Sequence, residues 1–173
     1  MIEALAVLGG YLLGSLPFGY WLPRVIRGED IRERGSGNIG ASNVFRVYGR
    51  RIGIAVALLD LAKGFAAALL GLWAGGALVG VLAGAAAMLG HARPVFLRFE
   101  KGGKMVATAG GAFLALAPVA TLLCVAIWLV LFVATRYASV ASIVSPFALV
   151  GLVIVFGYDW PVVAFAAVGT VAI

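Results

Sequence analysis

The sequence predicts an all-α integral membrane protein that forms a single domain over residues 1–173, and three observations favour this class. Hydrophobic residues make up 64% of the chain and charged residues only 12%, whereas soluble domains contain about 25% charged residues. The apolar residues fall into successive runs that suit membrane helices, separated by glycine, proline or charged residues. The basic residues are concentrated in alternate connections between these runs, as is typical of cytoplasmic loops.

The apolar runs predict about seven transmembrane helices, each of which needs about 20 residues for a full crossing. The runs lie at 2–23, 52–73, 77–90, 104–117, 119–135, 138–157 and 160–173. Breaks are predicted at Gly75-Gly76, at His91–Gly103, at Pro118, at Arg136-Tyr137 and at Gly157–Pro161. The third and fourth runs are short, which favours helices that are tilted, re-entrant or buried among the others. A five-span arrangement, in which these two runs are re-entrant half-helices, is the alternative.

The basic residues predict the orientation of the helices. Twelve of the 13 Lys and Arg residues lie in the connections after the first, third and fifth spans, and the connections after the second, fourth and sixth spans contain none. Because Lys and Arg are enriched in cytoplasmic loops, seven spans place the N-terminus outside and the C-terminus in the cytoplasm. The five-span alternative keeps the same three loops inside.

Lys63 is the basic residue that lies within a predicted span, three positions after Asp60. Side chains at this spacing share a helix face, and charges at membrane depth need a partner or a cavity. Two interpretations stay open: a structural pair that neutralises itself, or a pair that orders the cytoplasmic site. The single cysteine, Cys124, excludes a disulfide bond within the chain.

The first cytoplasmic loop contains the stretch GSGNIGASN at residues 35–43. Glycines allow successive backbone N–H groups to face one anion, and a helix that starts at residues 40–43 would direct its positive end to the same anion. Side chains that can donate hydrogen bonds to phosphate or pair with it are Ser36, Asn38, Ser42, Asn43, Arg46 and Arg50. The alternative is a flexible polar loop whose basic residues only set the topology.

The second loop contains Lys101-Gly102-Gly103-Lys104, a glycine turn with an ammonium group on either side. The spacing of a Walker A loop is missing. His91, the only histidine of the chain, precedes this turn. It is interpreted either as a general base or as a hydrogen-bonded structural residue.

The third loop contains Arg136, followed by Ser139 and Ser142, which are three positions apart and share a helix face. Taken alone, it is equally well interpreted as a topological anchor with packing serines. Together, the three loops each combine cations with small or hydroxyl residues on one side of the membrane. We therefore expect them to form a phosphate pocket beside an apolar wall, which suits an amphiphile that carries a phosphate.

These motifs resemble those of one family. GSGNIGASN resembles the GSGNxGATN motif of the bacterial acyl-phosphate:glycerol-3-phosphate acyltransferases. GHARPVFLRFEKGGKMVAT resembles their second motif, GHxxPxFxxFKGGKGVAT, and RYASVASI resembles the third, RYxSLxSI. The opening GYLLGSLPFGYWLPR also fits, and the matches occur in the order of the family over nearly the whole chain.

The resemblance implies a seven-helix enzyme of the bacterial inner membrane whose active site faces the cytoplasm. It implies transfer of a fatty acyl group from acyl phosphate to the 1-hydroxyl of glycerol 3-phosphate, giving lysophosphatidic acid and phosphate, the first step of phospholipid synthesis. Acyl-CoA and acyl carrier protein are not expected as direct donors, and neither a metal nor a cofactor is expected. The expected partners are the two substrates and membrane lipid. Nucleic acid is not expected, and a monomer is compatible with the sequence.

The resemblance and the composition of the three loops together assign residues. The motifs place Ser36, Asn38, Arg46, Gly102, Gly103, Lys104 and Ser139 on substrate-binding positions and His91 on the motif histidine. The catalytic positions are Ser36, His91, Lys104 and Ser139. The substrate-binding positions are Gly35, Gly37, Asn38, Asn43, Arg46, Gly102, Gly103, Thr108, Arg136 and Ser142. Acyl phosphate is an activated mixed anhydride, and no Ser-His-carboxylate triad is evident in the sequence. We therefore expect direct transfer between two oriented substrates, without an acyl-enzyme.

The sequence departs from the family pattern at two places. Met105 stands where the second motif has glycine, which adds a side chain beside the phosphate site and restricts the backbone. Family members continue beyond the last helix into a stretch with His and Asn, whereas this chain ends at Ile173. We therefore interpret the C-terminal end as incomplete relative to the family, which leaves open the activity of the chain as given.

Two other classes of protein compete with an acyltransferase. A small transporter or channel for an anionic metabolite would also use cytoplasmic cations, but it predicts a polar path to the outer face. The outer connections carry Asp159 and few polar residues. A purely structural membrane subunit would leave the three motifs unexplained.

Overall fold

The protein is all-helical over residues 1–172, the part of the chain that the computed structural model describes. The helices are α1 (Ile2–Gly14), α2 (Phe18–Arg27), α3 (Ala41–Tyr48), α4 (Arg50–Ala92), α5 (Val106–Leu116), α6 (Pro118–Thr135), α7 (Ala138–Val155) and α8 (Trp160–Ala172). Two short 3₁₀ turns lie at Ile31–Glu33 and Val95–Leu97. The prediction of an all-α fold is confirmed. Ile173, the last residue of the seventh predicted span, lies outside the described residues.

The first predicted span, 2–23, is not one continuous helix. α1 ends at Gly14, and α2 begins at Phe18, directly after Pro17. Proline has no N–H to continue the hydrogen-bond ladder and disfavours helical geometry in the residue before it. α2 then continues to Arg27 and ends at Gly28, whose φ of 72° is left-handed. The prediction therefore missed the break and placed the end of the segment one turn too early.

α4 is a helical hairpin that contains the second and third predicted spans. Its backbone leaves helical geometry at Gly75 and Gly76, where Gly76 has a φ of 73°. A Cβ added at Gly71 would collide with the carbonyl of Val79, so the two arms touch directly beside the bend. The predicted break at Gly75-Gly76 is confirmed. We call residues 50–74 the first arm and residues 77–92 the second arm.

Close backbone contacts at small residues set the directions of the packed helices. Added Cβ atoms at Gly10 and Gly14 would collide with Ala83 and Ala87, so α1 runs parallel to the second arm. An added Cβ at Gly84 would lie 3.0 Å from Ala112 of α5, and one at Gly80 would lie 3.0 Å from Leu116. α5 therefore runs antiparallel to the second arm. Small residues at such contacts are characteristic of helix packing in membranes.

The protein has two separate apolar clusters. The larger one joins α4, α5 and α8, where the rings of Phe113 and Phe165 stack with their centroids 4.7 Å apart. The smaller one lies under α3 and includes Ile31, Ile39 and Val44. This second cluster packs against α3 and the residues before it, and so supports the first polar loop.

Much of the outer surface is apolar, as lipid contact requires. On α6 and α7, for example, the side chains of Val130 and Phe147 are 68% and 66% exposed. Four segments are long and apolar enough to cross a membrane, namely Ile2–Arg27, Arg50–Leu97, Pro118–Thr135 and Ala138–Val155. Val106–Leu116 and Trp160–Thr170 are shorter apolar helices. These properties agree with an integral membrane protein.

Candidate functional site

Asn43 organises the first loop. Its side chain is 3% exposed, and its Nδ2 donates hydrogen bonds to the carbonyls of Asn38 and Arg34, at 2.8 and 3.1 Å. Its Oδ1 accepts a hydrogen bond from the N–H of Ser36 at 3.0 Å. A Cβ at Gly35 would collide with this oxygen, and Gly35 has a left-handed φ of 58°. The Asn43 side chain thus shapes the loop by binding the loop's backbone groups. Glycine is required at position 35 because the Asn43 side chain lies so close to it.

Asn38 joins the first loop to the second. Its Nδ2 donates to the carbonyl of Gly102 at 3.2 Å, across 64 residues of sequence. Its Oδ1 accepts from the N–H of Gly40 at 2.7 Å. α3 begins directly after Gly40, so the predicted helix start at residues 40–43 is confirmed. The structure therefore places the positive end of α3 beside the glycine turn of the second loop.

The glycine turn packs directly against the end of α4. The N–H groups of Gly102 and Gly103 donate to the carbonyls of Ala92 and His91, at 2.9 and 3.1 Å. A Cβ at Gly102 would collide with the His91 carbonyl, and a Cβ at Gly103 would collide with the His91 ring at Nε2. Glycine is needed here because there is no room for a side chain.

The paired N–H groups change the expected mode of anion binding. In the first loop, the N–H groups of Ser36, Gly37 and Gly40 also bond within the protein. The sequence predicts that the glycine-rich backbone offers several N–H groups to an anion. Since many of these are already paired, the positive end of α3 and the cationic side chains are left to hold a phosphate.

Met105 adopts a left-handed backbone conformation, which glycine would adopt without strain. Its φ is 64° and its ψ is −14°, in the left-handed region, and α5 begins at the next residue. A side chain in this region costs roughly 1–2 kcal/mol. Met105 also packs partly buried against the larger apolar cluster. Met105 thus takes a strained backbone conformation at the start of α5, and its side chain packs against the core.

Beneath the turn lies a buried group of charged and polar side chains. Asp60 Oδ1 is 2.9 Å from Lys63 Nζ, and both side chains are 2% exposed. The same oxygen lies 3.5 Å from Nδ1 of His91, whose ring is 5% exposed. Lys63 also donates to the carbonyl of Leu16 at 2.8 Å. The pairing of Asp60 with Lys63 that the sequence predicted is confirmed.

Arg32 is a bridging residue that the sequence interpretation missed. It pairs with Asp30 at 2.7 Å and with Glu100 of the second loop at 2.6 Å. The hydrogen bond from the Arg32 side chain holds the pKa of Asp30 below its usual value. Asp30, two positions before Arg32, was a local signal for this pair, whereas the contact with Glu100 had none. A second link between the two loops therefore lies on the exposed side of the site.

Several cationic and hydroxyl residues of the site are exposed. Ser36, Arg46 and Lys104 are exposed, and the ion pairs among residues 1–172 do not include Arg46 or Lys104. Thr108 is 0% exposed on the first turn of α5, where its backbone carbonyl packs closely against Gly64. The side chains of Ser36, Arg46 and Lys104 thus remain accessible around the joined loops.

The third loop lies apart from this hydrogen-bond network. Arg136 ends α6 with a left-handed φ of 64°, and Ser139 is exposed on the first turn of α7. Ser142 accepts a hydrogen bond from Trp128 Nε1 at 3.0 Å and so connects α6 to α7. Within the described residues, no hydrogen bond or ion pair links Arg136 or Ser139 to the first two loops.

The architecture and motifs match known proteins. The family model described as "Glycerol-3-phosphate acyltransferase" matches residues 4–173. The chain belongs to the glycerol-3-phosphate acyltransferase family. It is 44% identical to "Glycerol-3-phosphate acyltransferase 2" of Moorella thermoacetica over 95% of this chain and 84% of the relative. It is 46% identical to the glycerol-3-phosphate acyltransferase of Desulforamulus reducens over 83% of this chain and 72% of the relative.

Solved structures of the same family share the fold. The chain matches the glycerol 3-phosphate form of PlsY (YgiH), an integral membrane glycerol 3-phosphate acyltransferase, with a TM-score of 0.92 and 40% identity. It matches the lysophosphatidic acid form with a TM-score of 0.89 and 38% identity. Both alignments cover 98% of this chain and 85% of the solved chain. The predictions of the family, of an acyltransferase and of an integral membrane fold are confirmed, and a transporter is not favoured.

Proposed function

We propose that this acyltransferase moves a fatty acyl group from acyl phosphate to the 1-hydroxyl of glycerol 3-phosphate. The observation that carries the proposal is the Asn38–Gly102 hydrogen bond, which joins the two glycine loops next to Lys104 and the start of α3. Lys104 lies near the N-terminus of α3, and Arg46 lies on the last turn of the same helix. A cation outside the ion pairs and close to a helix N-terminus suits a phosphate group. The names of the relatives and the ligands of the solved structures support glycerol 3-phosphate as the acceptor.

The chemistry needs orientation rather than a covalent intermediate. The 1-hydroxyl oxygen attacks the carbonyl carbon of the mixed anhydride, and the bond from that carbon to the phosphate oxygen breaks. Inorganic phosphate leaves, and the proton of the hydroxyl ends on it. Positioning of the two substrates and stabilisation of the phosphate charge supply the acceleration.

In this proposal the site residues take four kinds of role. Lys104, Arg46 and Ser36 bind phosphate oxygens, and Ser139 and Arg136 contact substrate from the third loop. His91 packs against the Gly102-Gly103 turn and contributes to its position. The residues that shape the substrate-binding surface are Gly35, Gly37, Asn38, Asn43, Gly102, Gly103, Thr108 and Ser142.

The proposed setting is the bacterial cytoplasmic membrane, with the active site on the cytoplasmic side and one domain over residues 1–173. Seven crossings with the N-terminus outside place every basic loop inside. The hairpin of α4 supports two crossings within that helix. The parallel packing of α1 with the second arm, and the antiparallel packing of α5, have the directions that seven crossings require.

A purified-protein assay tests the reaction. The protein in lipid nanodiscs receives palmitoyl phosphate and labelled glycerol 3-phosphate, and labelled lysophosphatidic acid is expected. Palmitoyl-CoA at the same concentration is expected to give no turnover. Lys104→Ala should abolish most activity, whereas Lys101→Ala, at the other end of the same turn, provides the matched control and should retain it. Equal turnover with palmitoyl-CoA contradicts the proposed donor, and folded protein without turnover contradicts the proposed reaction.

A further inference from the structure

The buried cluster of Asp60, Lys63 and His91 lies beneath the glycine turn, and the proposed reaction assigns no part to its two charged members. One carboxylate oxygen of Asp60 lies 2.9 Å from Lys63 Nζ and 3.5 Å from His91 Nδ1. The three side chains are 2%, 2% and 5% exposed. Charges at this depth are expensive to bury even when they are paired. A cluster this costly to bury is expected to have a structural or functional role.

The cluster connects three separate segments of the chain. Lys63 donates to the carbonyl of Leu16, in the break between α1 and α2, and its ammonium lies 5.7 Å from the centroid of the Phe18 ring. Asp60 and Lys63 belong to the first arm of α4, and His91 ends the second arm. The cluster thus fixes the end of the second arm relative to the first arm and to the start of α2.

His91 transmits this arrangement to the turn. Its carbonyl accepts the N–H of Gly103, and its ring lies so close to Gly103 that a Cβ there would collide with Nε2. Gly103 directly precedes Lys104, and the carbonyl of the neighbouring Gly102 accepts the hydrogen bond from Asn38. Any shift of the imidazole therefore moves both the phosphate-binding lysine and the link between the two loops.

We propose that Asp60, Lys63 and His91 are positioning residues for the Gly102-Gly103 turn. By holding this turn in place, they fix the position of Lys104 relative to the phosphate-bearing substrate. The identity of that substrate rests on the proposed function, whereas the positioning rests on the contacts described. His91 is then not a general base. Its Nδ1 faces Asp60 and its Nε2 faces the backbone of Gly103, so both nitrogens face groups of the protein.

The test uses hydrogen exchange and kinetics on the same variants of the full chain in nanodiscs. Asp60→Asn removes the charge at nearly constant shape, Asp60→Glu restores it, and Asp60→Asn with Lys63→Met removes both charges together. Thr121→Val is the matched control, because Thr121 is a buried polar residue of α6 whose hydroxyl donates to Ala117. Exchange of the peptide that covers residues 100–104 reports the turn without substrate. KM for glycerol 3-phosphate and kcat report its effect on the reaction.

Loss of the cluster should raise exchange in residues 100–104 and KM by about 10-fold each, the scale of one hydrogen bond to a charged group. kcat should fall less than KM rises, Asp60→Glu should recover most of both effects, and Thr121→Val should change neither. If Asp60→Asn does not fold, the double variant carries the test, since it leaves no unpaired charge. Wild-type exchange and KM in the folded double variant would overturn the inference. Raised exchange, in a protein whose wild type transfers no acyl group, would support the positioning and reject the proposed function.

Discussion

Replacement of Gly103 by alanine tests the contact between the glycine turn and α4. An added Cβ at this position would collide with Nε2 of His91, whose ring is 5% exposed and has no free space to enter. The φ of Gly103 lies outside the left-handed region. The effect of the substitution is therefore steric and does not include backbone strain.

The size of the effect follows from two ways of relieving the collision. If the surroundings shift around the new methyl group, overpacking costs about 1–3 kcal/mol. If the turn withdraws instead, the hydrogen bonds from Gly102 and Gly103 to the end of α4 are lost, at about 1 kcal/mol each. Both routes lead to about 2 kcal/mol of destabilisation. In the second route Lys104 moves as well, so KM for glycerol 3-phosphate also rises.

Gly110→Ala is the matched control for Gly103→Ala. Gly110 lies within α5, seven residues further along the chain, and an added Cβ there meets nothing within 4 Å. Alanine in a helix interior is more stable than glycine by roughly 0.5–1 kcal/mol. Thermal unfolding in detergent should thus show a lower Tm for Gly103→Ala and an unchanged or higher Tm for Gly110→Ala. A Gly103→Ala variant with wild-type Tm and KM would refute the described contact.

Three further predictions concern the polar loops. Ser36→Ala should slow turnover by roughly 10- to 150-fold, the effect of losing one hydrogen bond to a charged group. Loss of a nucleophile would cost on the order of 10⁶-fold. Detection of an acylated serine by mass spectrometry would contradict direct transfer. Arg32 lowers the pKa of Asp30 in the folded protein. The contribution of Asp30 to stability is therefore complete above the usual carboxyl pKa and is lost as the pH falls through the lowered pKa. Arg32→Ala should make Tm less dependent on pH in this acidic range. In a Cys124→Ala background, Arg98→Cys should resist an impermeant thiol reagent added to intact cells, and rapid labelling would reverse the proposed orientation.

Local sequence patterns predicted those features that depend on neighbours in the chain. The hairpin bend at Gly75-Gly76 follows from two consecutive glycines within an apolar stretch. The Asp60–Lys63 pair follows from the helical repeat, because positions i and i+3 lie on one face. Pro17 carried the signal for the break in the first span, but the continuous apolar run concealed it.

Features that depend on contacts between distant segments had no local signal. The bond from Asn38 to Gly102 spans 64 residues, and the pair of Arg32 with Glu100 spans 68. Asn43 was assigned to substrate because its amide can donate hydrogen bonds, yet in the fold these donors bond to the carbonyls of Asn38 and Arg34. Residue type indicates which groups a side chain can bind, whereas the fold determines which of these groups lies within hydrogen-bond distance.

The pairing of the loop N–H groups within the protein has a consequence for selectivity. A rigid ring of backbone donors recognises the shape of a tetrahedral anion. The planar guanidinium of an arginine does so in part, whereas the ammonium group of a lysine recognises mainly the charge. With the N–H groups of Ser36, Gly37, Gly102 and Gly103 already paired, discrimination among oxyanions is left to Arg46 and the start of α3, and we expect it to be weaker than a full ring of backbone donors would give. Phosphonate analogues should therefore be accepted, and sulfate or the phosphate released by the reaction should compete for the same cations as its concentration rises.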